Sequence, residues 1–201
     1  GGDDTLDGGT GVDTISFENA EEGVAVDLES GSAHGDDTGV DTFRAFENVT
    51  GGRGDDIITG DGLNNVLIGN RGSDVLDGGA GNDRLDGGLG DDVFIVSDGD
   101  DVIIAGGGDD TLKIGADYSM QGVMLDKDTG DLTLNFLKTT NDTVHVTTIK
   151  NSVSQPITTL TTVDAEGNES RLNLNVTFNE DTQTYSAASD NDTLIIGTTG
   201  D

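Results

Sequence analysis

The chain has 201 residues, with Asp+Glu 40 against Lys+Arg 9 and a formal net charge of −31. That balance argues against a nucleic-acid partner, since no basic stripe exists to meet phosphates. Absence of cysteine excludes disulfides and thiolate metal sites, and no apolar run approaches the roughly 20 residues of a membrane helix. Of the acids, 32 are Asp and 8 are Glu, a bias toward turns and away from helices. Of the 32 glycines, 26 precede Ile114, so the chain divides into a Gly-rich part and an ordinary one.

In chain order, the opening GGDDTLD reads as the back half of a nine-residue unit, and a full unit, GGTGVDTIS, follows at Gly8–Ser16. Phe17 to Thr50 then break the pattern. Within them Val24-Ala25-Val26-Asp27-Leu28 alternates as a strand does. Residues 36–44 form a degenerate unit with Asp41 at its sixth place, and Ala45 to Val49 is another short strand. We expect irregular coils continuing one stack across 17–50, with a bulging loop as the alternative.

From Gly51 to Lys113 seven units run without a gap: GGRGDDIIT, GDGLNNVLI, GNRGSDVLD, GGAGNDRLD, GGLGDDVFI, VSDGDDVII and AGGGDDTLK. A fixed period of this kind marks a repeat architecture. The first six residues of a unit suit a turn and the last three a short strand whose middle residue faces inward. Ile15, Ile58, Leu67, Leu76, Leu85, Phe94, Ile103 and Leu112 therefore form a narrow core. Two units make a coil of 18 residues, and successive coils stack as parallel strands. Sixth-place Asp56, Asp74, Asp92 and Asp110 then share one column of turns, and Asn65, Asp83 and Asp101 the other.

The core is thin. Each coil buries about two large side chains at ~2 kcal/mol apiece, while ordering costs about 1 kcal/mol or more per residue. Stacked carboxylates add repulsion and need neutralising. Carboxylates above and below, with loop carbonyls, make an all-oxygen cage that suits Ca²⁺ rather than zinc. The alternative is a merely solvated acidic turn, which does not account for glycine and Asp spacings that agree from unit to unit.

After Lys113 the period becomes two. Leu132–Phe136, Thr143–Thr147, Ile157–Val163 and Leu172–Phe178 alternate apolar with polar, and turns fall at 128–131, 164–168 and 179–181. These read as antiparallel hairpins that cap the stack and cover outward apolar Val93, Ile95, Val102 and Ile104. A weaker unit stands at Ala187–Ile195, and 190–201 reads as the start of a further repeat. The chain thus looks like a piece of a longer repetitive protein.

The nonapeptide units resemble the haemolysin-type calcium-binding (RTX) repeats of bacterial secreted proteins. The resemblance implies an all-β fold: a parallel β-roll (β-solenoid) at 1–113, an antiparallel capping region at 114–189, and a new repeat from 190. It implies Ca²⁺ held by sixth-place Asp13, Asp41, Asp56, Asp74, Asp83, Asp92, Asp101 and Asp110. Turn carbonyls such as those of Gly52, Gly54, Gly79, Gly81, Gly88 and Gly90 would join them. It also implies type I export to an extracellular or cell-surface location. Unit 60–68 departs from the frame at Asp61, Leu63 and Asn65, which predicts a weak or empty site, and unit 96–104 lacks both leading glycines.

Other signals are weaker. Asp126–Asp131 lacks the third acidic place, the glycine and the terminal Glu of an EF-hand loop and reads as a hairpin turn. Arg53-Gly54-Asp55 sits in a repeat that already explains it. His34 reads as a loop residue and His145 as a strand residue. No nucleophile–base pairing stands out, so this chain is read as non-catalytic. The expected role is a calcium-binding module, unfolded in a low-calcium cytoplasm and folding after secretion, that stabilises or presents flanking domains of a larger chain. The alternatives are an adhesin or polysaccharide-binding module, and the acidic part of an enzyme whose catalytic domain lies elsewhere.

Overall fold

Short turns rich in Gly and Asp, alternating with three-residue apolar-centred segments, leave strands as the regular element. The computed structural model describes residues 2–126, 129–141, 143–150, 157–173, 175–179, 184–188 and 197–198, and shows no helix among them. Strands β1 (Thr5–Asp7), β2 (Thr14–Ser16), β3 (Val24–Asp27), β4 (Ser32–Gly35), β5 (Gly39–Arg44) and β6 (Asn48–Thr50) come first. The regular units follow with β7 (Ile57–Thr59), β8 (Val66–Arg71), β9 (Val75–Asp77), β10 (Arg84–Leu89), β11 (Val93–Ile95), β12 (Asp100–Gly107) and β13 (Asp110–Ile114). Longer strands close the chain: β14 (Tyr118–Leu125), β15 (Leu132–Lys138), β16 (Thr143–Ile149), β17 (Ile157–Val163) and β18 (Glu169–Asn173). Last are β19 (Asn175–Asn179), β20 (Thr184–Ala188) and the two-residue β21 (Gly197–Thr198).

Alternate units feed alternate sheets. One sheet runs β1-β5-β4-β3-β7-β9-β11-β13-β17-β18 and the other β2-β6-β8-β10-β12-β16-β15-β14-β21. In the regular part all neighbours are parallel and 18 residues apart: Ile58 pairs with Leu76, Phe94 with Leu112, and Leu85 with both Leu67 and Ile103. The coil length expected from two nine-residue units is thus the observed pairing offset. The central residue of each short strand faces inward, and Ile58, Leu67, Leu76, Leu85, Phe94 and Leu112 have no exposed surface. Val93, Ile95, Val102 and Ile104, on the outward side, are half-buried.

Through 17–50 both sheets of the stack continue, irregularly in the first. In the second sheet the stack passes directly from β2 to β6 to β8 in parallel. In the first sheet β4 is inserted antiparallel between β3 and β5. The physical reason is local. The segment lacks the leading glycine pair, and a tight turn forms instead where Asp27 Oδ1 accepts from the Ser30 N–H at 2.9 Å and Gly31 takes φ 66°.

Past residue 114 the chain extends both sheets. β16 joins β12 and β17 joins β13 in parallel, and β15, β14 and β18 then add antiparallel. Parallel β16 and β17 thus cover the open edges of the stack, and the antiparallel strands extend the same two sheets rather than lying over the outward side chains of Val93, Ile95, Val102 and Ile104 as expected. Leu132, Leu134, Phe136 and Ile149 continue the core. β14 was not anticipated. The strand expected over 172–178 is divided between β18 and β19, and residue 174 is outside the described residues. The weak unit at 187–195 and the repeat start at 190–201 lie outside the described residues apart from positions 187–188 in β20 and the β21 pair, which lies parallel to β14.

Candidate metal centre

Each turn ends at the sixth place, immediately before a strand, so the side chain there points back into the turn. Asp56, Asp74 and Asp92 have no exposed surface, and Asn65, Asp83, Asp101 and Asp110 are almost as fully buried. Their arrangement is a ladder. Oδ1 of each of these aspartates accepts from the backbone N–H of the sixth-place residue one coil earlier, whereas the Asn65 oxygen accepts from Asp61 N–H in its own turn. Asp56 N–H donates to Asp74 at 2.8 Å, Asp74 N–H to Asp92 at 2.9 Å and Asp92 N–H to Asp110 at 2.9 Å. On the opposite side Asn65 N–H donates to Asp83 at 2.8 Å and Asp83 N–H to Asp101 at 3.0 Å. The two columns expected from the sequence are therefore the two columns observed.

Only half of each carboxylate is used this way. Oδ2 of Asp74, Asp83 and Asp92 is buried without any donor, as is Oδ2 of Asp13. Asp56 Oδ2 accepts from Gly52 N–H at 2.7 Å. Among the described residues no Lys or Arg pairs with Asp56, Asp74, Asp83, Asp92 or Asp101. A buried anionic oxygen without a partner is costly. The cost shows in the acidities: loss of hydration is the leading cause that pushes Asp74, Asp83 and Asp92 up to about 7, and Asp101 and Asp110 up to about 6.

The first-place glycine is set by this oxygen. A Cβ at Gly69, Gly78 or Gly87 would lie 2.2 Å from Oδ2 of Asp74, Asp83 or Asp92. The second and fourth places are tight against the preceding coil: a Cβ at Gly106 would be 2.0 Å from the Gly88 carbonyl oxygen, and one at Gly108 2.0 Å from that of Gly90. The Gly54 and Gly81 carbonyls face Gly72 and Gly99 in the same way. Those of Gly52 and Gly79 accept from Arg71 N–H at 3.4 Å and Asp98 N–H at 3.0 Å, each keeping a second lone pair. No three acidic or His side chains converge at one point among the described residues, so any ion here needs these carbonyls beside the carboxylates.

Sequence reasoning missed three things. Glu47 occupies a sixth place, since Asn48 pairs with both Thr14 and Val66, and its Oε2 accepts from Asp13 N–H at 2.8 Å. Its longer side chain and its glycine-free approach hid it. Asp4 also holds a sixth place, where its N–H donates to Asp41 Oδ1 at 2.9 Å, whereas Val24 fills the corresponding place in β3 and donates to Asp56. Third, a fifth-place ladder runs the other way: Asp55 accepts from Ser73 N–H, Asn64 from Asn82, Asn82 from Asp100, and Asp91 from Asp109, at 2.7 to 2.9 Å. A signal for it was present, since every fifth place of the regular run is Asp, Asn or Ser.

The minor motifs resolve as structure. Asp126 and Asp131 flank the β14–β15 hairpin connection, with Asp126 N–H donating to Asp131 O at 2.8 Å; residues 127–128 lie outside the described residues. Asp55 is in the ladder and Arg53 pairs with Glu21. No helix of the described residues is long and apolar enough to cross a membrane.

The residues present fit a hard divalent cation, since the buried oxygens without donors are carboxylate and backbone carbonyls such as those of Gly87 and Ala105 lie beside the same first-place glycines. A family model described as the RTX calcium-binding nonapeptide repeat matches the chain in four copies, at residues 1–18, 46–62, 59–94 and 86–117. No curated protein matches it.

Proposed function

We propose, from the match of residues 1–18 and 46–117 to RTX calcium-binding nonapeptide repeats, that this chain is a parallel β-roll whose folding is driven by Ca²⁺. In this reading 1–113 is the roll, 114–189 its cap, and the chain serves as a non-catalytic stabilising or presenting module of a larger extracellular protein. The observation that carries it is the set of buried, donorless Oδ2 atoms on Asp74, Asp83 and Asp92. Bound calcium would supply the positive charge that those oxygens lack. The side chains of Asp13, Asp41, Asp56, Asp74, Asp83, Asp92 and Asp110 are the candidate carboxylate ligands, whereas Asp101 Oδ2 already accepts from the Ser97 hydroxyl. The carbonyls of Gly52, Gly54, Gly79, Gly81, Gly88 and Gly90 complete the oxygen set.

Metal binding to a site absent from the unfolded chain is folding free energy. At millimolar calcium and a Kd near 10⁻⁴ M each ion contributes about 1–2 kcal/mol. The same linkage suits a protein secreted unfolded from a calcium-poor cytoplasm by a type I route. Circular dichroism in millimolar CaCl₂ and then in excess EGTA tests the proposal. A β-rich spectrum should collapse on chelation and return with calcium. Persistence of the full spectrum in EGTA at neutral pH would contradict it.

A further inference from the structure

The two turn columns are chemically unequal. In one, Asp74 and Asp92 each keep a buried Oδ2 with no donor. In the other, Asp83 does so, but the turns on either side of it are filled by this chain's own groups.

At Asn65 the amide oxygen accepts from Asp61 N–H at 2.9 Å. Its nitrogen donates to the Glu47 carbonyl at 2.8 Å and to Asp61 Oδ1 at 3.2 Å. A carbonyl only accepts, so the nitrogen must face Glu47 O. The amide thus brings hydrogens to oxygens that a cation would otherwise collect.

At Asp101 the two leading glycines are replaced by Val96 and Ser97, and the Ser97 hydroxyl donates to Asp101 Oδ2 at 3.2 Å. Beside it Asp98 receives the Lys138 ammonium at 2.5 and 2.7 Å and the Tyr118 hydroxyl at 2.5 Å. Lys138 also lies over the Tyr118 ring, 5.6 Å from its centroid. The Lys138 and Asp98 side chains are only 22% and 32% exposed, so the charge pair is partly shielded from water. No further coil follows this turn, and β16 imitates one. In earlier coils the fourth-place N–H donates to the third-place carbonyl of the next coil: Gly72 to Leu89, Gly81 to Asp98 and Gly90 to Gly107, at 2.7 to 3.0 Å. Gly99 N–H donates instead to His145 Nδ1 at 2.7 Å. Val146 N–H takes the next rung of the fifth-place ladder on Asp100 Oδ1 at 3.1 Å.

Resting on the calcium reading above, we propose that calcium loads the two columns unequally. The turns at Asn65 and Asp101 take no metal, because the Asn65 amide, the Ser97 hydroxyl and the Lys138 ammonium stand in its place. The turns at Asp74, Asp83 and Asp92 carry it. The chain thereby holds one built-in cation at the junction of repeats and cap.

Native mass spectrometry of the whole chain in excess CaCl₂ counts the retained ions, with circular dichroism to establish that each variant is folded. Asp74→Asn, Asp83→Asn and Asp92→Asn each keep the Oδ1 acceptor and should each lose at least one ion. Asp101→Asn should keep the wild-type count, and Asn65→Asp should gain one ion. Lys138→Met should keep the count but raise the calcium midpoint of folding by about two-fold or more, because the cap loses the cation that offsets Asp98. Asp101→Asn losing an ion as Asp83→Asn does, a folded Asn65→Asp at the wild-type count, or Lys138→Met with a lost ion or an unmoved midpoint would overturn the inference. A wild-type chain that retains no calcium at all would instead overturn the calcium reading itself.

Discussion

At the scale of single residues, the sixth-place carboxylate divides its work between its two oxygens. Oδ1 ties neighbouring coils together, and Oδ2 of Asp74, Asp83 and Asp92 is buried without a donor, which is what the proposed calcium would answer. This makes the first-place glycine a direct partner of the site. Gly87→Ala would push a methyl 2.2 Å from Asp92 Oδ2, so the turn must shift. We expect a higher calcium midpoint by circular dichroism, with the Asp92 turn losing its ion, whereas alanine at exposed Leu89 should leave the midpoint in place. The raised acidities give a pH dependence with a definite sign. Burial lifts Asp74, Asp83 and Asp92 to about 7 from an ordinary value of 3.8, so the fold favours their protonated forms. Metal-free stability from these groups is therefore present below about 4 and lost as pH rises to about 7. In EGTA the chain should hold more β-structure at pH 5 than at pH 8, and calcium uptake near pH 7 should release protons measurable in a weakly buffered titration. Equal EGTA spectra at the two pH values would contradict the burial argument.

At the scale of elements, the regular coils were legible because period, glycine and Asp all agree from Gly51 to Lys113. A nine-residue unit ending in an inward Leu or Ile places the next same-sheet strand 18 residues on, and the pairing of Leu67 with Leu85 and of Leu76 with Phe94 follows. Position along the chain was less legible wherever a different residue filled the same role. Glu47 does the job of Asp from a segment without the glycine frame, and β4 enters antiparallel through a turn shaped by Asp27 and Gly31. β14 was hidden because its register shifts between Met120 and Gly122, which breaks the two-residue alternation from Tyr118 and Met120 to Val123. The core at these elements is one side chain deep, so it tolerates no gap. Phe94→Ala removes the largest fully buried side chain of the repeats and should cost about 3–5 kcal/mol. Chemical denaturation in saturating calcium measures this. A loss below about 1 kcal/mol would mean that metal, rather than apolar packing, carries that coil.

At the scale of the whole molecule, a formal net charge of −31 opposes compaction, and the thin two-sheet core must be held against it. The site arrangement distributes the remedy: a sixth-place carboxylate in every regular turn but that of Asn65, one turn per coil on each side, with β16 and β17 closing the edge at β12 and β13 in parallel. Folding should therefore be cooperative in calcium, since adjacent coils share a ladder and an ion bound at one turn orders the next.

The central claim is that the donorless oxygens of Asp74, Asp83 and Asp92 hold calcium and that this uptake holds the stack together. Isothermal titration of the chain carrying Asp74→Asn, Asp83→Asn and Asp92→Asn together, beside the wild type, tests it most directly. Asparagine preserves every Oδ1 acceptor of the ladder while removing the charge. The wild type should take up several ions as it folds, and the triple variant at least three fewer, remaining largely unfolded in millimolar CaCl₂. Equal uptake by the two chains would contradict the account.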